Sequence, residues 1–103
     1  MHDFNNAIKE CLEEVKETGV EVGKISKFLI NTRAKRWGIC KRENGEFEIE
    51  ISDALLDDST PIISLKSTII HEILHTCQGC QNHGSKWKSL ANKMNSKYGY
   101  NIK

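Results

Sequence analysis

No apolar stretch in this sequence approaches the roughly 18 residues that a helix needs to cross a bilayer, so no membrane span is expected. The opening residues, Met1-His2-Asp3-Phe4-Asn5-Asn6, lack the basic-then-apolar order of a secretory signal. These two absences predict a cytoplasmic protein. Internal repeats, low-complexity tracts and linkers are missing as well, and 103 residues are read as one domain, 1–103, with one modest core. Cys11, Cys40, Cys77 and Cys80 are the only cysteines. In a reducing cytosol such thiols stay free, buried or metal-bound rather than paired as disulfides. A further lack is local: no Asp or Glu follows Glu72.

The formal net charge is only +1, but the charges are segregated. Residues 23–42 carry Lys24, Lys27, Arg33, Lys35, Arg36, Lys41 and Arg42 and no acid, whereas residues 43–72 carry eight acids and a single lysine. The basic stretch is either a solvated surface balanced by the acidic one beside it or a phosphate-binding patch. On the second reading Arg33, Lys35, Arg36, Lys41 and Arg42 are the candidate nucleic-acid contacts, and DNA is a candidate partner.

Hydrophobic spacing gives the elements. Phe4, Ala7, Ile8, Cys11, Leu12 and Val15 fall on one face of a helix over 4–17, stopped by Gly19. Residues 25–30 suit a strand. Residues 36–42 and 46–51 flank Asn44-Gly45, a pair that tolerates positive φ and so signals a hairpin. In the second of these strands Phe47, Ile49 and Ile51 share one face and Glu46, Glu48 and Glu50 the other, which is wet or meets the basic segment. Residues 52–60 read as polar and irregular. Thr60-Pro61 reads as a cap and first turn for a helix reaching Cys77, broken by Gly79, and a last helix covers 84–98 before Gly99. The expected architecture is α+β: an N-terminal helix, a small antiparallel three-stranded sheet, a metal-binding helix and a C-terminal helix.

His71-Glu72-Ile73-Leu74-His75 carries the chemistry. At about 100° per residue, His71 and His75 stand about 40° apart on consecutive turns, where two imidazoles can close on one tetrahedral zinc. Glu72 is offset about 60° further, beside the metal and suited to take a proton from the water it activates. Ser67 and Thr68 share the histidine sector, while Ile69, Ile70, Ile73 and Leu74 take the opposite side. Catalytic zinc needs a third protein ligand. A downstream carboxylate is excluded, and His2 lies at a terminus expected to fray, which leaves His83, brought back by a chain reversal at Gly79 and a tight approach at Gly84. Cys77 and Cys80 cannot make a four-ligand structural site alone and are read as buried or loop-stabilising. The expected cofactor is one Zn²⁺ per chain. No residue stands out as oxyanion stabiliser; Tyr98, Tyr100 and the arginines are the candidates.

His71-Glu72-Ile73-Leu74-His75 followed by His83-Gly84-Ser85-Lys86-Trp87 resembles the SprT-like zinc metallopeptidases. Arg36-Trp37-Gly38-Ile39-Cys40, the strand 46–51 and residues 52–56 are similar to that family's sheet region, and the resemblance covers about residues 20 to 98. It implies a zincin-like minimal domain, a zinc site of His71, His75 and His83 with catalytic Glu72, a protein or peptide substrate, and action on proteins bound or crosslinked to DNA, as in DNA–protein crosslink repair. A monomer without membrane attachment is expected. Two rivals are a metal-dependent nuclease and a nucleic-acid-binding module that keeps zinc for stability. The basic segment suits the nuclease, but a glutamate directly after the first histidine is better explained by peptide hydrolysis; Glu72→Ala separates all three, since a binding module should lose nothing measurable.

Overall fold

The computed structural model describes every residue except Ala34 and Gln81. Helix α1 (Phe4–Glu17) is capped by Asp3, whose carboxylate accepts from the Asn6 amide at 3.0 Å, and it buries Ala7, Cys11 and Val15. Strands β1 (Ile25–Asn31), β2 (Gly38–Glu43) and β3 (Glu46–Ser52) follow, then a single 3-10 turn over Asp53–Leu56. Helices α2 (Ile62–Leu74) and α3 (Ser85–Tyr98) complete the α+β arrangement. None of the described helices is long and apolar enough to cross a membrane.

The sheet is mixed, which corrects the all-antiparallel expectation. Its order is β1-β3-β2: β2 and β3 form the antiparallel hairpin through Asn44 (φ 52°) and Gly45 (φ 78°), but β3 pairs with β1 in parallel. The reason lies in β3 itself. Its apolar face, Phe47, Ile49 and Ile51, is buried in the core, so the central position suits it best. Its acidic face finds cations on both sides: Glu46 meets Lys24 at 2.7 Å, Glu48 meets Lys27 at 3.1 Å and Glu50 meets Lys41 at 2.5 Å. Glu50 also accepts from the Asn31 side chain at 2.7 Å, so one carboxylate holds β1 and β2 to β3 at once. The basic and acidic segments thus lie against each other. β2 is left as an edge strand among the described residues.

Residues 52–60 are less polar in practice than their composition implies, because Leu55 and Leu56 enter the core. Thr60 does not cap α2. Its hydroxyl donates to the Ala54 carbonyl at 3.0 Å, and the helix begins at Ile62 without a side-chain cap. Nor does the N-terminus fray at His2, whose amide donates to Leu56 O at 2.8 Å and whose Nε2 lies 2.5 Å from Thr60 O.

Helix α2 buries Leu65, Ile69, Ile70, Ile73 and Leu74 against the rest of the core. It stops at Leu74, three residues short of Cys77. The amides of His75, Thr76 and Cys77 turn to the carbonyls three residues back, and the Thr76 hydroxyl takes the Ile73 carbonyl at 2.7 Å, so the last turn tightens and does not propagate. His75 keeps right-handed helical angles as the cap residue, which preserves its place one turn from His71.

Candidate metal centre

The open side of α2 presents His71, Glu72 and His75, and the chain reverses at Gly79 (φ 81°) to return His83 to the same place. The Nε2 atom of His83 lies 3.0 Å from that of His71 and 3.1 Å from that of His75. The three rings are tilted by 60–75° to one another, pointing inward instead of stacking in parallel. Four donors at the usual zinc–nitrogen length of about 2.0–2.1 Å are separated by about 3.3–3.4 Å along each tetrahedral edge, close to what is found. The donor set therefore fits a metal ion. Among the described residues this is the one group of His, Cys, Asp or Glu side chains able to hold one.

Two features prepare the imidazoles. His75 Nδ1 lies 2.8 Å from the Cys80 carbonyl, which can only accept, so the proton sits on Nδ1 and the Nε2 lone pair faces inward. Burial, followed by the neighbouring imidazoles, pushes His71 down to about 4, and burial with His83 lowers His75, so both are neutral at physiological pH as metal ligation requires. Beneath the rings lies Trp87, the third residue of α3, only 1% exposed. Its indole stacks on His75 at 22° with centroids 5.5 Å apart and meets His71 and His83 edge-on at 4.7 and 4.6 Å. The sequence marks Trp87 only as part of an apolar stripe; its position four residues after His83 is the signal that it floors the site.

Glu72 is 6% exposed, and its Oε2 stands 3.8 Å from His71 Nε2. Burial pushes its carboxyl up to about 7, against the downward pull of the Arg36 guanidinium. Room for this side chain depends on Gly38: a Cβ there would lie 2.9 Å from Glu72 Oε2 and 3.0 Å from both Glu72 Cγ and Thr68 Cγ2. Gly84, expected to permit a close approach to the metal, instead makes room for Asn82, whose Oδ1 accepts from the Gly84 amide at 3.0 Å and would lie 2.8 Å from any Cβ.

The histidines and Glu72 open on a cavity of about 480 Å³ that also takes in Arg36, Cys40, Arg42 and Phe47. A second cavity of about 320 Å³ shares Gly38, His71 and Glu72 with the first and is bounded further by Trp37, Ser67 and Thr68 and by the C-terminal residues Asn101–Lys103. That segment is fixed by Asn95, whose side chain donates to Ile102 O at 3.0 Å and accepts from Ile102 N at 2.8 Å. Nothing in the sequence of residues 101–103 marks them as this wall.

Of the oxyanion candidates, Tyr98 donates to Glu17 at 2.6 Å and Tyr100 donates to Glu14, both away from the site, whereas Arg36 and Arg42 line it. Cys77 and Cys80 are fully buried and lie outside the donor group, and burial pushes the Cys77 thiol up to about 11. The basic residues divide. Arg33, Lys35 and Arg36 are exposed on the β1–β2 connection, Lys41 is paired with Glu50, and Arg42 lies over the Phe47 ring at 5.6 Å.

The model of the SprT-like family matches residues 4–103 of the chain. No curated protein matches it.

Proposed function

We propose that this chain, which belongs to the SprT-like family, is a zinc-dependent peptidase with Glu72 as its general base. The observation that carries this reading is the convergence of three imidazole nitrogens beside a buried carboxylate that faces the same cavity. His71, His75 and His83 would hold the ion, and a set of three imidazoles suits zinc. Zinc held there would polarise a substrate carbonyl and make a water acidic near neutral pH.

The remaining steps belong to the chain. Glu72 takes the proton of the attacking water on a carboxylate oxygen and hands it to the leaving amine. Arg36 and Arg42 place positive charge on the wall where negative charge develops at the carbonyl oxygen. Gly38 starts the edge strand β2 and touches Glu72, so an extended peptide adding to β2 by backbone hydrogen bonds would pass in front of the carboxylate. Backbone pairing of this kind reads little sequence, which suits a protease for DNA-associated proteins. Contact with DNA would fall to Arg33, Lys35 and Arg36. Four free cysteines, three of them buried, suit a cytoplasmic setting.

The experiment is cleavage of an unfolded protein by zinc-loaded wild type and by Glu72→Ala, with a chelator control. Wild type should cleave, and the variant should bind zinc equally but lose about 10²–10⁴-fold in rate, the usual worth of a general base. A nuclease or a structural zinc module would leave the unfolded protein intact in both cases.

A further inference from the structure

The two cavities at Glu72 share Gly38 and His71 as well. One takes in all three histidines with Arg36 and Arg42. The other, which ends at Lys103, continues across Trp37 and Thr68 into a neighbouring cavity of about 390 Å³ lined by Ala54, Leu55, Thr60 and Ser64 as well. Among the described residues, no ionisable side chain lines this outer cavity. Two of its three hydroxyls are already engaged: Thr60 donates to Ala54 O and Thr68 donates to Ser64 O, each at 3.0 Å. What it offers an incoming group is chiefly carbon.

Trp37 stands between the two spaces and is 63% exposed, although its backbone is pinned by the Ser52 amide, which donates to its carbonyl at 2.9 Å. An exposed indole on an anchored backbone, beside a carbon-lined hollow, is a surface suited to an apolar partner. The neighbouring residue, Gly38, is the one that touches Glu72, so the hollow is continuous with the reacting centre.

We propose that Trp37, with Leu55, Ala54 and Thr68, forms a subsite that receives an apolar side chain of the substrate peptide. The inference rests on the peptidase reading and adds a selectivity to it. A peptide lying along β2 runs from Trp37 at one end to Arg42 at the other, so the subsite lies on one flank of the bond to be cut. A nucleobase stacked on Trp37 is the competing occupant, given the adjacent Arg33, Lys35 and Arg36. The hollow with the buried Leu55 in its lining favours an inserted side chain over a flat base.

The test uses zinc-loaded Glu72→Ala, which retains the cleft without turnover, and a polar peptide through which a single leucine is walked. Trp87 is buried, so a ligand-induced blue shift of tryptophan emission reports Trp37. One leucine register should bind roughly tenfold tighter than its aspartate counterpart and shift the emission, the discrimination an apolar pocket supplies. Trp37→Ala should abolish both the preference and the shift, while Trp37→Phe should keep the preference. In wild type the same register should be favoured in kcat/KM. Equal binding by all registers, no binding by any peptide, a preference surviving in Trp37→Ala, or a shift produced by oligonucleotides and not by peptides would overturn the subsite. Leucine-selective binding with no cleavage by wild type would sink the peptidase reading and leave the subsite standing. Cleavage without leucine preference would do the reverse.

Discussion

Gly38 and Glu72 are in contact across the gap between the sheet and α2, the bare Cα of the first leaving the space that the carboxylate of the second fills. A methyl group at position 38 would crowd Glu72 Oε2 and Cγ and the Thr68 methyl together, so the carboxylate, at the free end of its side chain, would have to shift. The position of this carboxylate is thus set by the sheet as much as by its own helix.

Gly38→Ala should therefore keep its metal and lose activity. A displacement of about 1 Å at a reacting group commonly costs about a hundredfold in rate. Metal content and kcat measured on the same preparation check this. Wild-type turnover in Gly38→Ala would show that Glu72 has freedom the structure does not give it.

Metal retention should separate the histidines from the cysteines. His83→Ala removes the imidazole whose Nε2 lies within 3.1 Å of both other Nε2 atoms and should weaken zinc binding strongly in a chelator competition. Cys77→Ser alters a buried thiol outside the donor group and should leave zinc binding in place while lowering the melting temperature. Equal zinc loss in both would refute the three-histidine assignment.

Trp87 should matter to folding and to the site together. Removing a buried tryptophan costs about 3–5 kcal/mol, a large share of the about 5–15 kcal/mol that holds a domain folded. Trp87→Ala should unfold or melt far below wild type. Trp87→Phe keeps an aromatic floor and also deletes an indole N–H that has no partner among the described residues, so its cost should be smaller. Denaturant titration of the metal-free and zinc-loaded forms measures both effects.

Glu50 gives a pH signature remote from the centre. The Lys41 ammonium and the Asn31 amide hold its carboxyl below the ordinary glutamate range. Because the folded-state pKa is the lower one, its stabilisation is present at neutral pH and is lost as pH falls through that value. Glu50→Gln should melt earlier than wild type at pH 7, and the two should converge in acid. A constant difference across that range would contradict the role given to this carboxylate.

DNA binding should depend on Arg33, Lys35 and Arg36, which are exposed on the β1–β2 connection and outside the sheet's ion pairs among the described residues. Neutralising the three should weaken affinity and flatten its dependence on salt. Binding indifferent to both changes would remove DNA from the account.

Much of this was legible in the residues. The spacing of His71, Glu72 and His75 fixes their relative directions because a helix has one period, and Gly79 with His83 supplies the return. The elements followed from apolar spacing to within a few residues. Strand order did not, because alternation in β3 shows which face is buried but not which strand lies beside it. The double attachment of Glu50 to Asn31 and Lys41 accompanies that order, and it joins residues 19 and 9 positions away along the chain. The same limit hid Gly38 and the wall at Asn101–Lys103. Their roles come from what they touch, and nothing local in the sequence encodes that contact.

X-ray absorption at the zinc edge of the loaded protein tests the central claim most directly. Three imidazole nitrogens and one further light atom at about 2.0–2.1 Å are expected, with no sulfur. A sulfur neighbour at about 2.3 Å, or fewer than three imidazoles, would contradict it.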